Sequence, residues 1–162
     1  MEIKLDTLKL VTFDKDQEHH VIFLKELIKD KTILRWFSGI TNNLLHNHGD
    51  EFFDRSFFVE DENNNLVAFI NIGDFNEIER AVYLRAATRR EYRGLGIGKT
   101  LLLEITNYIF KNHNEVDMVK LKIDSENKAS LATANACGYK WLEKDYYGKL
   151  NPNLINDNEL KK

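Results

Sequence analysis

Cys137 is the chain's single cysteine, so no disulfide framework is open to it and a reducing compartment, the cytoplasm, is the expected home. Proline is equally scarce, with Pro152 near the C-terminal end the sole example. No apolar run is long enough to cross a bilayer or to form a signal peptide, so a membrane partner is not expected. Basic residues are not in surplus either: 23 Lys and Arg stand against 26 Asp and Glu, a formal net charge of −3. A nucleic-acid partner would demand a basic face, and none is evident. Nothing reads as a linker, a repeat or a low-complexity tract, and 162 residues suit a single domain over 1–162 that can bury a core without staples. Hydrophobic residues at 43% and charged residues at 30% are ordinary for a soluble globular protein.

Periodicity supplies the elements. Leu8–Phe13 reads as a first strand, after which Asp14 and Asp16 can cap a helix carrying Val21, Leu24, Leu27 and Ile28 on one face. A second helix is expected around Ile33–Leu45. Phe57–Glu60 and Leu66–Ile72 flank the turn-rich insert Asp61-Glu62-Asn63-Asn64-Asn65, which predicts an antiparallel hairpin. In the next strand Val82, Leu84 and Ala86 alternate with Tyr83, Arg85 and Ala87. A helix with Leu101, Leu102, Ile105 and Ile109 on its buried side follows, and then a strand in which Val119, Leu121 and Ile123 alternate with Lys120 and Lys122.

The most informative stretch is Arg93-Gly94-Leu95-Gly96-Ile97-Gly98-Lys99-Thr100, between the extended segment Ala81–Thr88 and that helix. Alternate glycines let the backbone turn sharply and come close to a ligand, and the helix start aims free N–H groups and its positive dipole end at it. A pyrophosphate suits such a cradle. A Walker A loop would need a glycine where Arg93 stands, and the candidate Walker B strand Met118–Asp124 carries Lys120 and Lys122. A dinucleotide fingerprint starting at Gly94 or Gly96 never finds its third glycine.

Arg93-x-x-Gly96-x-Gly98, preceded by Arg90-Glu91-Tyr92, resembles the acyl-coenzyme A pyrophosphate loop of the GCN5-related N-acetyltransferases. Downstream, Asn127-Lys128-Ala129-Ser130, a short helix and then Cys137-Gly138-Tyr139 opening a strand resemble that family's closing segment. The likeness in motif covers about Ala81 to Trp141. It implies an α/β fold with a mixed sheet splayed between its fourth and fifth strands, about four flanking helices, and the cofactor's pantetheine arm in the gap. It also implies acetyl transfer from acetyl-coenzyme A to an amine in a ternary complex. Carried over position by position, the resemblance gives the N–H groups of Gly94, Leu95, Gly96, Ile97, Gly98 and Lys99 to the pyrophosphate, with Arg93 adding charge and Thr100 a hydroxyl. Ala86, Ala87 and Thr88 would pair with the pantetheine amides as a further strand would. Asn127 would touch the pantetheine arm, and it equally suits a helix N-cap.

Catalytic groups are thinner. The tyrosine that many members use to protonate the leaving thiolate is matched here by Ala134. Ser130 is the substitute, because its stretch is similar to that of Rim-type ribosomal-protein N-terminal acetyltransferases, where a serine has that role; its alternative is a helix-start hydroxyl. For the base, Val82 and Leu84 fill positions where relatives carry Glu or His, Lys122 fills another, and Glu77 and Glu79 are the nearest carboxylates. His46-Asn47-His48 near Asp50 lacks partners to close a metal site, so no metal is expected. Trp36 or Phe53 could line the acceptor pocket, and Cys137 reads as a buried thiol. The acceptor stays open: the Rim-type likeness leans toward a protein or peptide N-terminus, while the acidic run Asp50, Glu51, Asp54, Glu60, Asp61, Glu62 would suit a small polycation. The oligomeric state is open too, a homodimer being one option. Two other classes compete, a non-catalytic acyl-coenzyme A sensor and a P-loop nucleotide-binding protein.

Overall fold

The computed structural model describes residues 2–37, 39–45 and 52–153. Its strands are β1 (Glu2–Lys4), β2 (Lys9–Val11), β3 (Arg55–Glu60), β4 (Leu66–Ile72), β5 (Ala81–Thr88), β6 (Met118–Lys122), β7 (Lys140–Glu143) and β8 (Tyr146–Leu150). They form one mixed sheet in the order β1-β2-β3-β4-β5-β6-β8-β7, in which β5 and β6 run parallel and every other pair is antiparallel. The helices are α1 (Glu18–Lys29), α2 (Lys31–Trp36), α3 (Ile40–Leu45), α4 (Ile97–Asn112) and α5 (Lys128–Ala136), with a 3₁₀ turn over Arg90–Tyr92.

Strand alternation divides the core in two. Phe57, Val59, Ile70, Val82, Leu84, Val119 and Leu121 face one way and meet Leu101, Ile105 and Ile109 of α4. Val11, Phe58 and Phe69 face the other way and meet Phe23, Leu27, Ile33, Phe37, Ile40 and Leu44 of the first three helices. The β3–β4 hairpin closes as its turn chemistry predicts: the Asp61 carboxylate accepts the N–H groups of Asn63 and Asn65, both at 2.9 Å, and Asn64 takes a positive φ of 64°.

Several expectations need correction. A short β1 precedes the expected first strand, so the splay falls between β5 and β6 in this numbering. Strand β8, inserted between β6 and β7, carries no strong alternation in sequence and was not expected. The single helix over Ile33–Leu45 is two, because Phe37 leaves helical geometry at φ −142°, ψ 117°. Ile33, Phe37, Ile40 and Leu44 are buried all the same: their spacing records which side chains reach the core and not an unbroken backbone. Five α-helices are therefore present among the described residues where about four were expected. At α1 the N-cap is Gln17 without a side-chain bond. Asp14 serves instead as an Asx turn for the Asp16 N–H, and its own N–H donates to Nδ1 of the buried His20 at 3.0 Å. The buried face of α1 is His20, Phe23 and Leu27, with Ile28 exposed. Burial pushes the His20 pKa down, which suits a ring nitrogen that accepts a hydrogen bond.

Candidate active site

The glycine loop follows the 3₁₀ turn at the end of β5. Gly94 and Gly96 have φ of +79° and +83°, a region that side chains disfavour, and a Cβ at either position would meet nothing within 4 Å. The glycines are thus required by the backbone turn, and the space beside them is free. Gly96 is the N-cap of α4 and supplies no side-chain acceptor. The first bond along the helix is from the Thr100 N–H to the Gly96 carbonyl at 3.0 Å. Ile97, Gly98 and Lys99 are left with N–H groups that have no intrahelical acceptor and that point out of the positive end of a 16-residue helix. Gly98 stands against Thr88, its would-be Cβ 3.5 Å from the Thr88 hydroxyl, so the helix start and the end of β5 lie side by side.

Beside this cradle the sheet opens. The parallel pairing of β5 with β6 runs from Ala81↔Met118 to Leu84↔Leu121 and stops. On its other edge β5 stays paired with β4 through Ala86↔Ile70, Ala87↔Phe69 and Thr88↔Ala68. Beyond β6 the chain keeps its pairing only on the β8 side, where the Ile123 N–H donates to the Asp145 carbonyl at 2.8 Å. Among the described residues no strand pairs with the β6-side edge of Arg85–Thr88. That edge is a row of main-chain groups of the kind an extended ligand can bond as an added strand. Small side chains at Ala86 and Ala87 keep the lane unobstructed.

Arg93 does something unforeseen. Its guanidinium is 2.6 Å from the Asp30 carboxylate and donates through Nε to the Thr88 carbonyl at 3.2 Å. Asp30 also caps α2, accepting from the N–H groups of Thr32 and Ile33. Four residues earlier Arg89 makes a bidentate pair with Glu26 of α1, both bonds 2.7 Å, its guanidinium over the Phe23 ring. The α1–α2 corner is therefore tied twice to the segment leading into the glycine loop. A cavity of about 310 Å³ lies between them, lined by Phe23, Leu27, Asp30, Ile33 and Arg90 among others. Neither carboxylate was singled out in the sequence, since acidic residues at a helix end ordinarily read as solvated surface.

Downstream, Asn127 is the N-cap of α5 and accepts from the Ser130 N–H at 3.3 Å. The half-buried Ser130 hydroxyl has no protein partner among the described residues. Ala134 is buried in the core at 1% exposure, and Val82 and Leu84 are core residues facing α4. Burial raises the pKa of the Cys137 thiol, which is 2% exposed and reaches only the Lys99 carbonyl, at 3.6 Å. Leu95 is exposed at the loop tip. Phe53 packs on His113 at the far end of α4 from the loop, so it does not line this site. His46, Asn47, His48 and Asp50 lie outside the described residues.

The sheet face toward α1 and α2 carries a second polar group that alternation concealed. Lys120, which in sequence only alternates with the apolar residues of its strand, is 8% exposed, its ammonium 2.7 Å from the Glu79 carboxylate and 5.1 Å and 5.7 Å from the Tyr83 and Tyr146 rings. The hydrogen bonds that the ammonium donates to Glu79 and Tyr83 raise its pKa and keep it charged. The two tyrosine rings meet edge-on at 5.9 Å. Tyr83 and Tyr146 come from strands far apart in sequence, which is why alternation alone does not show that Lys120 is buried.

The arrangement is that of an acyltransferase fold, and comparison with known proteins agrees. Residues 18–139 match the Acetyltransferase (GNAT) family. The chain is similar to spermidine N(1)-acetyltransferase of Vibrio cholerae, 26% identical over 96 residues, or 59% of this chain and 55% of that protein. The chain thus spans about half the length of that curated relative. Among solved structures it is similar to a GNAT-family acetyltransferase from Bacillus anthracis, with 20% identity, a TM-score of 0.72 and coverage of 93% of this chain and 99% of the other. It is also similar to RimL, the ribosomal L7/L12 alpha-N-protein acetyltransferase in complex with coenzyme A, with 19% identity, a TM-score of 0.68 and coverage of 93% and 98%. The chain belongs to the GNAT acetyltransferase family.

Proposed function

We propose that this protein is an N-acetyltransferase that moves the acetyl group of acetyl-coenzyme A to an amine by direct transfer within a ternary complex. One observation carries the reading: the unpaired edge of β5 beyond Leu84 leads straight to the Gly94–Lys99 turn, so a lane for an extended amide-bearing arm ends in a cradle for its phosphates. The residues fit such a cofactor, because the space beside Gly94 and Gly96 is empty of protein and the first N–H groups of α4 lack acceptors.

In this reading Ile97, Gly98 and Lys99 bind pyrophosphate through their N–H groups, joined by Gly94, Leu95 and Gly96, with Thr100 offering a hydroxyl. Ala86, Ala87 and Thr88 bond the pantetheine amides, and Asn127 fixes the start of α5 beside the arm. The cosubstrate supplies an activated thioester. Ser130, whose hydroxyl is uncommitted, holds the proton needed by the departing thiolate. With Val82 and Leu84 in the core, the acceptor ammonium loses its proton through ordered water, which positioning makes sufficient. No metal is required. We assign residues 1–162 to one catalytic domain and place the protein in the cytoplasm, where its lone thiol stays reduced; among the described residues no helix is long and apolar enough to cross a membrane.

The test is release of free thiol from acetyl-coenzyme A across a panel of amines, beside calorimetric titration with coenzyme A. Turnover on any amine with cofactor binding supports the enzyme. Binding without turnover on any amine returns the non-catalytic sensor, the reading favoured by Ala134.

A further inference from the structure

Opposite residues of paired strands share a face, which places Tyr83 and Arg85 of β5, Lys120 and Lys122 of β6 and Tyr146 of β8 on the side of the sheet that the first helices pack against at β2–β4, with Arg85 and Lys122 themselves exposed. The charges there do not balance. Lys120 is neutralised by Glu79 at 2.7 Å, and Arg35 of α2 is neutralised by Glu126, just before α5, at 2.9 Å. Both carboxylates are spent. Arg85 and Lys122 remain, and among the described residues neither has a carboxylate within salt-bridge distance. Arg85 lies over the Phe37 ring at 4.2 Å, and the Lys122 ammonium is 5.9 Å from the Tyr146 ring. Aromatic faces hold these two cations in place without discharging them.

Their position gives the surplus its meaning. Arg85 is the first residue of β5 past the last β5–β6 pair, and Lys122 is the last residue of β6. The two cations stand on either side of the point where the sheet opens. A polycation such as spermidine would meet repulsion there. Partial burial pushes the Arg85 pKa down, a cost that an incoming anion would relieve. A planar guanidinium beside an ammonium suits a carboxylate, to which the guanidinium can donate two parallel bonds.

We propose that the acceptor is an amine that itself carries a carboxylate, held by Arg85 and Lys122 so that its amino group faces the opening of the sheet. The inference rests on the acetyl-transfer reading and narrows it. The carboxylate can belong to a free amino acid or to an acidic residue near a peptide N-terminus, which a comparison of acceptors separates.

The experiment measures thiol release by the full chain with acetyl-coenzyme A and matched acceptors: glycine against glycinamide, a Ser-Asp-initiated peptide against its Ser-Asn counterpart, and spermidine. At least one carboxylate member should exceed its amide counterpart in kcat/KM by about tenfold or more. Which pair responds tells the free amino acid from the peptide. In Arg85→Gln and in Lys122→Gln that ratio should fall to within about threefold, with the Kd for coenzyme A within about twofold of the parent. Spermidine turned over as well as either carboxylate acceptor, amide partners equal to their acids, or an unchanged ratio in both variants would each overturn the proposal. If no amine supports turnover, the acetyl-transfer reading itself fails. The anion site is then decided by calorimetry on the coenzyme A-loaded protein, where N-acetylglycine should bind and N-acetylglycinamide should not, and equal binding of the two would overturn it.

Discussion

Asp30 holds two jobs that a pair of substitutions can separate. Its carboxylate caps α2 through the N–H groups of Thr32 and Ile33 and pairs with Arg93 at 2.6 Å, the two side chains being 12% and 32% exposed. Asp30→Ala removes both: loss of the cap costs about 1 kcal/mol, and loss of a half-buried, partly screened ion pair adds about 1 kcal/mol. For a chain of this length about 2 kcal/mol lowers the Tm by about 4–8 °C. Asp30→Asn keeps the cap, since Asn serves that position as well, and should lower the Tm by only about 2–4 °C. Burial alone would raise the Asp30 pKa, but the bonds from Arg93 and from the Ile33 and Thr32 N–H groups outweigh it and hold the pKa below the ordinary 3.8. A depressed carboxyl pKa contributes stability that is full above the unfolded-state value and is lost as pH falls through the folded one. The difference between parent and Asp30→Asn should therefore be flat at neutral pH and shrink below about pH 4. The assays are thermal melts across pH and coenzyme A titration by calorimetry. Because Asp30→Asn frees the Arg93 guanidinium for the pyrophosphate, the Kd for coenzyme A should hold steady or fall. Weakening by more than about tenfold would show that Arg93 acts as a strut fixed by Asp30 and would remove it from the phosphate contacts.

Three further outcomes follow from single sites. Gly96→Val places a β-branched residue at a φ of +83° in space the protein leaves empty; the strain should cost about 1–2 kcal/mol, and coenzyme A should bind more than about tenfold more weakly, so parental affinity by calorimetry in a folded variant would remove the pyrophosphate-loop assignment. Ser130→Ala should lower kcat by about 10²-fold if its hydroxyl protonates the thiolate, with the Kd for coenzyme A within a few-fold; an unchanged kcat would end that role, and the Tm should move little because the cap bond uses the Ser130 N–H and not its hydroxyl. Arg55, 5% exposed with Nε and Nη1 buried and unbonded, lies 5.7 Å over the Phe57 ring; Arg55→Met should leave stability unchanged or raise it by about 1 kcal/mol, and a Tm lower by more than about 5 °C would mean that the guanidinium holds a favourable contact.

The elements that bear the candidate site were the most legible in sequence. Leu66–Ile72 and Ala81–Thr88 were delimited to the residue, the first because an apolar run buried on both faces begins where the Asp61–Asn65 turn ends, the second because inward Val82 and Leu84 alternate with Tyr83 and Arg85. The glycine loop was legible because a sharp turn into a helix start needs glycine at particular offsets, whatever the rest of the chain does. The Asn127 cap was legible for the same local reason. All of these are properties of a few consecutive residues.

What escaped the sequence depends on partners that only folding brings together. No local rule pairs Asp30 with Arg93, Glu26 with Arg89 or Glu79 with Lys120, since charged side chains at such spacings are ordinarily solvated. Lys120 became a buried ion because Tyr83 and Tyr146 arrived from other strands, and Phe53 left the acceptor side because it packs at the opposite end of α4. The point at which β5 and β6 part was expected only through the family resemblance and not from periodicity, for it depends on where the segment after β6 finds its hydrogen bonds. Sequence by itself determined the cradle, whose chemistry is written in backbone conformation. Tertiary structure decided the charge around the opening, because electrostatic balance is a sum over neighbours in space.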